Sequence, residues 1–257
     1  MTPRHPSLRL DDFSPQLCGL TLDRPPANAL TSDLIEAIAD IVRSLAQREA
    51  PPVLLLAATG ERFFCAGGDI KELDDGDVDH ALRRMEKFHH MLAALTEYPT
   101  AIVAAVRGYA AGGGLELTLM ADLVIAGERA QFGFPEIRNG LMPAVMGIQR
   151  AVDTIGRRAA FDLLSSGRFV TAPEAVELGL AHRVVADREV LAHATDVATA
   201  LSETDPVIMA ILKRAVHGEQ PDSPDTMRRQ TLTGFREILD RPASVEARQK
   251  FLARNKV

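Results

Sequence analysis

Tryptophan is absent from this 257-residue chain, tyrosine occurs twice, and aromatic residues make up only 5% of it. The core must therefore be built from leucine, isoleucine, valine and alanine. Cysteine is scarce too, with only Cys18 and Cys65. That count excludes a disulfide-dense scaffold, and two free thiols in a reducing compartment are expected. Two cysteines and seven scattered histidines give no zinc-ligand spacing. The adjacent His89 and His90 would point about 100° apart on a helix and cannot chelate together. Basic excess is also missing: the net charge is −6, which argues against a nucleic-acid partner. The stretch from Leu201 onward is locally slightly basic, with ten Lys/Arg against eight Asp/Glu. That reads as a solvated helix face, or as a surface turned toward an anionic ligand. No apolar run approaches the length of a membrane span. Residues 1–10 lack a hydrophobic signal core, so no export signal is read. A cytoplasmic protein without a membrane partner is expected.

What is present is a chain that is 46% hydrophobic, enough for one large domain, or for one domain plus a helical appendage. Gln16 to Leu22 reads as a strand. Arg24 to Leu30 is a loop, after which Thr31 or Ser32 can cap a helix. In that helix Leu34, Ile38, Ile41, Val42 and Leu45 recur with a period of 3.6. Val53 to Ala58 is continuously apolar, as a parallel strand buried on both faces should be. Leu82, Met85, Phe88, Leu92 and Leu95 mark a second helix that ends before Pro99. The pattern then repeats, with strands at Ala101 to Val106 and Leu123 to Ala126. Strand–loop–helix units in series imply right-handed crossovers and a largely parallel sheet. Beyond Thr171 the pattern is nearly all helical, with Gly218 to Pro224 the best hinge.

Two glycine-rich windows stand between strand and helix. In "CAGGDIKEL" Gly67 and Gly68 precede Asp69 and Lys71. In "AAGGGLE" Gly112, Gly113 and Gly114 precede Glu116. Neither matches a dinucleotide fingerprint or a P-loop. Each alone reads as a plain turn or as backbone N–H groups offered to a ligand. Together, leaving parallel strands at one sheet edge, they can aim two donors at one carbonyl oxygen as it gains charge. Glu116 falls in a first helical turn, where the helix dipole favours its ionised form. It reads as a base, or as an ordinary dipole-matching glutamate. Glu136 follows Phe132, Phe134 and Pro135 and precedes Ile137, apolar company that would raise its pKa and keep a proton on it. It reads as an acid, or as an exposed glutamate opening a helix after proline. Two carboxylates in opposed environments form an acid/base pair if they meet.

These windows, with "RPPANAL", "MADLVIAGERAQFGFPEIRNGLMP", "GLAHRVV" and "EARQKFLARN" at their order and spacing, carry a resemblance over nearly the whole length. The chain resembles the enoyl-CoA hydratase/isomerase (crotonase) superfamily, and most of all its hydratases. The resemblance implies an α/β spiral of ββα repeats over residues 1–200 and a C-terminal helical region over 201–257 that serves oligomerisation. It implies a homotrimer or dimer of trimers, an acyl-CoA substrate, and no cofactor beyond the coenzyme A of the substrate. On matching positions, the N–H groups of Gly68 and Gly113 would form the oxyanion hole. Glu116 and Glu136 would add water across a 2,3-double bond, and a role in fatty acid metabolism would follow. Arg24, Ala27, Ala66, Asp69, Ile70 and Lys71 would border the coenzyme A, and Phe251 and Arg254 would cover its adenosine end. The run Ala144 to Ile148 departs from the glycine-rich pattern of hydratases, and Phe134 is bulkier than usual. Both departures would shape the acyl pocket, or mark another reaction of the superfamily such as isomerisation, decarboxylation or a tailoring step.

Overall fold

The structure is a computed structural model and describes residues 5–73, 78–218, 223–239 and 241–254; the side chains at 73, 145 and 250–254 lie outside the described residues. The elements in order are β1 (Leu8–Ser14), β2 (Leu17–Leu22), α1 (Ser32–Ala46), β3 (Val53–Ala58), β4 (Phe63–Cys65), α2 (Val78–Thr96), β5 (Ile102–Val106), β6 (Tyr109–Ala111), α3 (Gly113–Leu119), β7 (Leu123–Gly127), β8 (Gln131–Gly133), α4 (Val145–Ser166), β9 (Phe169–Thr171), α5 (Ala172–Leu178), β10 (Arg183–Val185), α6 (Val190–Ser202), α7 (Pro206–His217), α8 (Pro224–Ile238) and α9 (Pro242–Arg254). Short 3₁₀ turns at Ile70–Leu73 and Pro135–Asn139 precede α2 and α4.

The main sheet has the order β1-β2-β3-β5-β7-β10, parallel except for the β1–β2 hairpin. Its strands read as unbroken apolar runs because both faces are covered. In β3, Leu54 and Leu56 enter the principal core with α1, while Val53, Leu55 and Ala57 pack toward α6. A second sheet, β4-β6-β8-β9, is parallel except for β8–β9. Successive β3-β4-α2, β5-β6-α3 and β7-β8-α4 units therefore form the expected ββα repeat.

The structure corrects several details of the sequence reading. The glycine windows leave β4 and β6 of the small sheet, not the long buried strands before them. The region beyond Thr171 is nearly all helix, as expected, but it also holds β10, which completes the main sheet. Thr31 occupies the N-cap of α1 but makes no capping bond; its hydroxyl turns to the Asp33 carboxylate. Leu82 is exposed, while Arg84 on α2 is buried. Gly156 interrupts α4 with φ 77° and ψ 156°. Cys18 and Cys65 are free and buried, and burial pushes both thiols up to about 12. The hinge read at Gly218 to Pro224 includes residues 219–222, which lie outside the described residues. Among the described residues no helix is long and apolar enough to cross a membrane.

Candidate functional site

The strands β4 and β6 are parallel neighbours, with Cys65 opposite Ala110. Both glycine turns consequently leave the same edge side by side. They are in van der Waals contact: a Cβ on Gly67 would lie 2.7 Å from the Ala111 carbonyl oxygen and 3.2 Å from the Gly113 nitrogen. Gly67 has φ +89° and Gly112 φ +53°, conformations open to glycine and strained for other residues. The first turn is fixed to the loop before α1. Leu30 N–H donates to the Gly67 carbonyl at 2.8 Å, and Asp69 N–H donates to the Leu30 carbonyl at 2.9 Å. The second turn is fixed by Gly112 N–H donating to the Gly133 carbonyl at 2.9 Å. Gly113 opens α3, where a backbone N–H has no acceptor in its own helix.

A cavity of about 360 Å³ lies where the turns meet. Of the residues singled out in the sequence, Ala66, Gly67, Gly68, Asp69, Ile70, Gly112, Gly113, Glu116, Glu136 and Ala144 line it. Arg24 and Ala27 stand one layer back. Arg24 Nη2 donates to Asp69 Oδ2 at 2.9 Å, and the Ala27 carbonyl accepts from Ala66 N–H at 3.0 Å. Lys71 is exposed on the 3₁₀ turn and does not line the cavity. The side chains of Phe251 and Arg254 lie outside the described residues, as does that of Val145. Phe134 is fully buried in the principal core and Met146 packs against that core; neither lines the cavity. Of the run Ala144 to Ile148, Ala144 lines the cavity. The apolar wall comes from Met85 and Phe88 on α2 and from Leu141 and Met142 after the second 3₁₀ turn. In sequence, Met85 and Phe88 carry only the signal of a core-facing helix.

The two carboxylates line the same cavity. Glu116 is 2% exposed, and its Oε1 accepts from Ala144 N–H at 3.1 Å. A Cβ on Gly147 would lie 2.1 Å from that oxygen, so the bare Gly147 backbone makes room for it. Glu136 packs against Gly112, whose added Cβ would lie 2.3 Å from Glu136 Oε1. Burial holds the Glu116 carboxyl well above the usual carboxylate range, and the nearby charge of Glu136 adds to this. Burial pushes Glu136 up to about 7. At Glu116 loss of solvation therefore works against the ionised form, while the Ala144 N–H and the start of α3 work for it. Oε2 of Glu136 is buried with no hydrogen-bond partner among the described residues. Such an atom, facing a cavity with a second carboxyl, can hold or pass a proton to a bound molecule.

Comparison with known proteins bears on this arrangement. The family described as enoyl-CoA hydratase/isomerase matches residues 12–257. A protein of Escherichia coli named 2,3-dehydroadipyl-CoA hydratase is 34% identical over 202 residues, covering 78% of this chain and 78% of its own. A chain of Dictyostelium discoideum named "Probable enoyl-CoA hydratase, mitochondrial" is 38% identical over 201 residues, covering 77% and 71%. The crystal structure of an enoyl-CoA hydratase from Bacillus anthracis superposes with a TM-score of 0.90 at 27% identity, covering 96% of each chain.

Proposed function

The chain belongs to the enoyl-CoA hydratase/isomerase family, and on that premise we propose that it hydrates a 2-enoyl-CoA thioester to the 3-hydroxyacyl-CoA. The observation that carries this reading is the meeting of two buried carboxyls, both held above their ordinary range, in one cavity with two glycine turns. Isomerisation needs a single carboxylate to move one proton. A second carboxyl beside it suits the addition of water.

The thioester oxygen accepts hydrogen bonds from Gly68 N–H and Gly113 N–H, and these donors stabilise the charge that builds on it. The pair of carboxyls shares one proton near neutral pH, since like charges at close range resist joint ionisation. In the reactive form Glu136 carries the proton and Glu116 is ionised, supported by Ala144 N–H. The water oxygen bonds to C3 while Glu116 takes a proton from it. The C2–C3 π electrons move toward the thioester, and Glu136 delivers its proton to C2. The product is neutral at both carbons, and the proton on Glu116 returns to the pair before the next turnover. The chemistry needs no metal or redox group.

The Arg24 to Leu30 loop and Asp69 to Lys71 border the coenzyme A, and Phe251 and Arg254 cover its adenosine end. Residues 1–200 carry the site. Residues 201–257 form the helical region through which the protein assembles as a trimer or dimer of trimers. Exposed apolar side chains on α7 and α8, among them Leu212, Val216, Leu232 and Phe235, support that assembly. The test is a panel of 2-enoyl-CoA thioesters with short, long, branched and aromatic acyl groups. Loss of conjugated-enoyl absorbance with a 3-hydroxyacyl-CoA product is expected for at least one. Binding across the panel without hydration would turn the assignment to another reaction of the family.

A further inference from the structure

Arg84 sits on the buried face of α2 with its side chain only 6% exposed. A buried guanidinium is costly unless its donors are matched, and an aliphatic residue would fill the same space at less cost. Its contacts show what it ties together. Nη2 donates to the Leu30 carbonyl at 2.7 Å, the same oxygen that accepts from Asp69 N–H. Nε donates to Glu72 Oε2 at 3.0 Å, and that carboxylate oxygen accepts in turn from Ser32 N–H and Ser32 Oγ at 2.9 and 2.8 Å. The plane of the guanidinium lies against the Gly68 α-carbon. A Cβ there would be 2.8 Å from Nη2, 3.1 Å from Nη1 and 3.4 Å from Cζ. Gly68 is itself exposed and joins its surroundings through the isolated bridge to Leu30. Arg84 therefore backs, from inside, the turn whose backbone Leu30 and Ala27 hold from the other side, and it lines the cavity beside Gly68.

We propose that Arg84 is a positioning residue for the thioester. It clamps the Gly68 turn to Leu30 and to the start of α1, so that Gly68 N–H is aimed into the cavity with a fixed positive charge behind it. A lysine cannot reproduce the clamp, because one ammonium lacks the planar fork that reaches Leu30 and Glu72 while lying flat on a glycine. The inference rests on the acyl-CoA reading given above. It adds the origin of the geometry and field at one of the two proposed donors.

The test compares the full-length wild type with Arg84→Met and Arg84→Lys. Four quantities are read: kcat on the best enoyl-CoA, Kd for its saturated acyl-CoA counterpart, Tm, and the red shift of a bound cinnamoyl-CoA bearing an electron-donating ring substituent, which reports polarisation of the thioester carbonyl. Arg84→Met is expected to lower kcat by about tenfold or more, as loss of part of an oxyanion donor would. It is also expected to shrink the red shift while leaving Kd near wild type. Arg84→Lys should fall between the two. Wild-type red shift and kcat in both variants, whatever their Tm, would overturn the proposal. If Arg84→Met does not fold, Arg84→Lys decides on the same readings. A wild type that binds neither thioester would instead remove the acyl-CoA reading, and the two failures are thereby told apart.

Discussion

Glu136 holds its proton in the folded protein from about pH 4.5, where a free glutamate loses it, up to about 7. In that window the folded state binds a proton that the unfolded chain releases. Stability from this group is therefore fully present below 4.5 and is lost as pH rises through 7. Glu136→Gln is expected to flatten that decline, and a series of Tm values across this range measures it. Under the proposed mechanism the same group must be protonated to act, so kcat should fall above about pH 7. Glu116→Gln and Glu136→Gln should each lower kcat by roughly a hundredfold or more. Gly147→Ala should do similar damage without touching a titratable residue, because its methyl group would occupy the place of Glu116 Oε1, 2.1 Å away. Steady-state rates and a thermal melt on each variant distinguish this from unfolding. The paired glycines and the two glutamates each carried an ordinary explanation alone, and pointed to a site only as a set, at the order and spacing that carry the family resemblance. Arg84, Met85 and Gly147 gave no such pointer. A charged residue on a helix, a methionine at core spacing and a lone glycine each carry an ordinary explanation until the fold sets them beside Gly68, the cavity and Glu116.

Helix α7 is held to the body of the fold through Asp122. That carboxylate accepts from Ile102 N–H at 2.7 Å, from Lys213 Nζ at 2.8 Å and from His217 Nε2 at 2.8 Å. Arg150 Nη1 approaches the other ring nitrogen, His217 Nδ1, at 3.2 Å. Asp122→Ala would strand the buried Lys213 ammonium and a strand N–H. A loss of about 3–5 kcal/mol is expected, together with faster proteolysis near the α6–α7 connection; chemical denaturation and limited digestion measure the two effects. The long elements were readable in the sequence. α1 has a clear helical period, and β3 matches its apolar run end to end. The three-residue strands β4, β6, β8, β9 and β10 were not, because three residues are too few to show alternation and their partners are remote in sequence. Arg84 was hidden likewise, since burial of a charge on α2 depends on Leu30 and Glu72, brought to it only by the fold.

The small sheet gives the molecule its working edge. Each ββα unit adds one strand to the large sheet and one to the small sheet, and the turns leaving β4 and β6 arrive side by side. Glu116 and Glu136 follow from the same arithmetic, one on the helix after β6 and the other on the turn after β8, its parallel neighbour. The apolar side chains exposed on α7 and α8 are expected to be covered in solution by other copies of the chain. Native mass spectrometry should therefore give three times the 27.9 kDa chain mass or a multiple of it, and a monomer would contradict that assembly. The claim at the centre of the account is that two carboxyls add water across a conjugated thioester, and isotope transfer tests it most directly. The protein is incubated with its best 2-enoyl-CoA in water enriched in oxygen-18, and the product is analysed by tandem mass spectrometry. The account requires one heavy oxygen at C3 in the wild type, with label entry reduced at least a hundredfold in Glu116→Gln and in Glu136→Gln. A wild type that consumes the enoyl group without taking up solvent oxygen, or variants that label as fast as wild type, would contradict it.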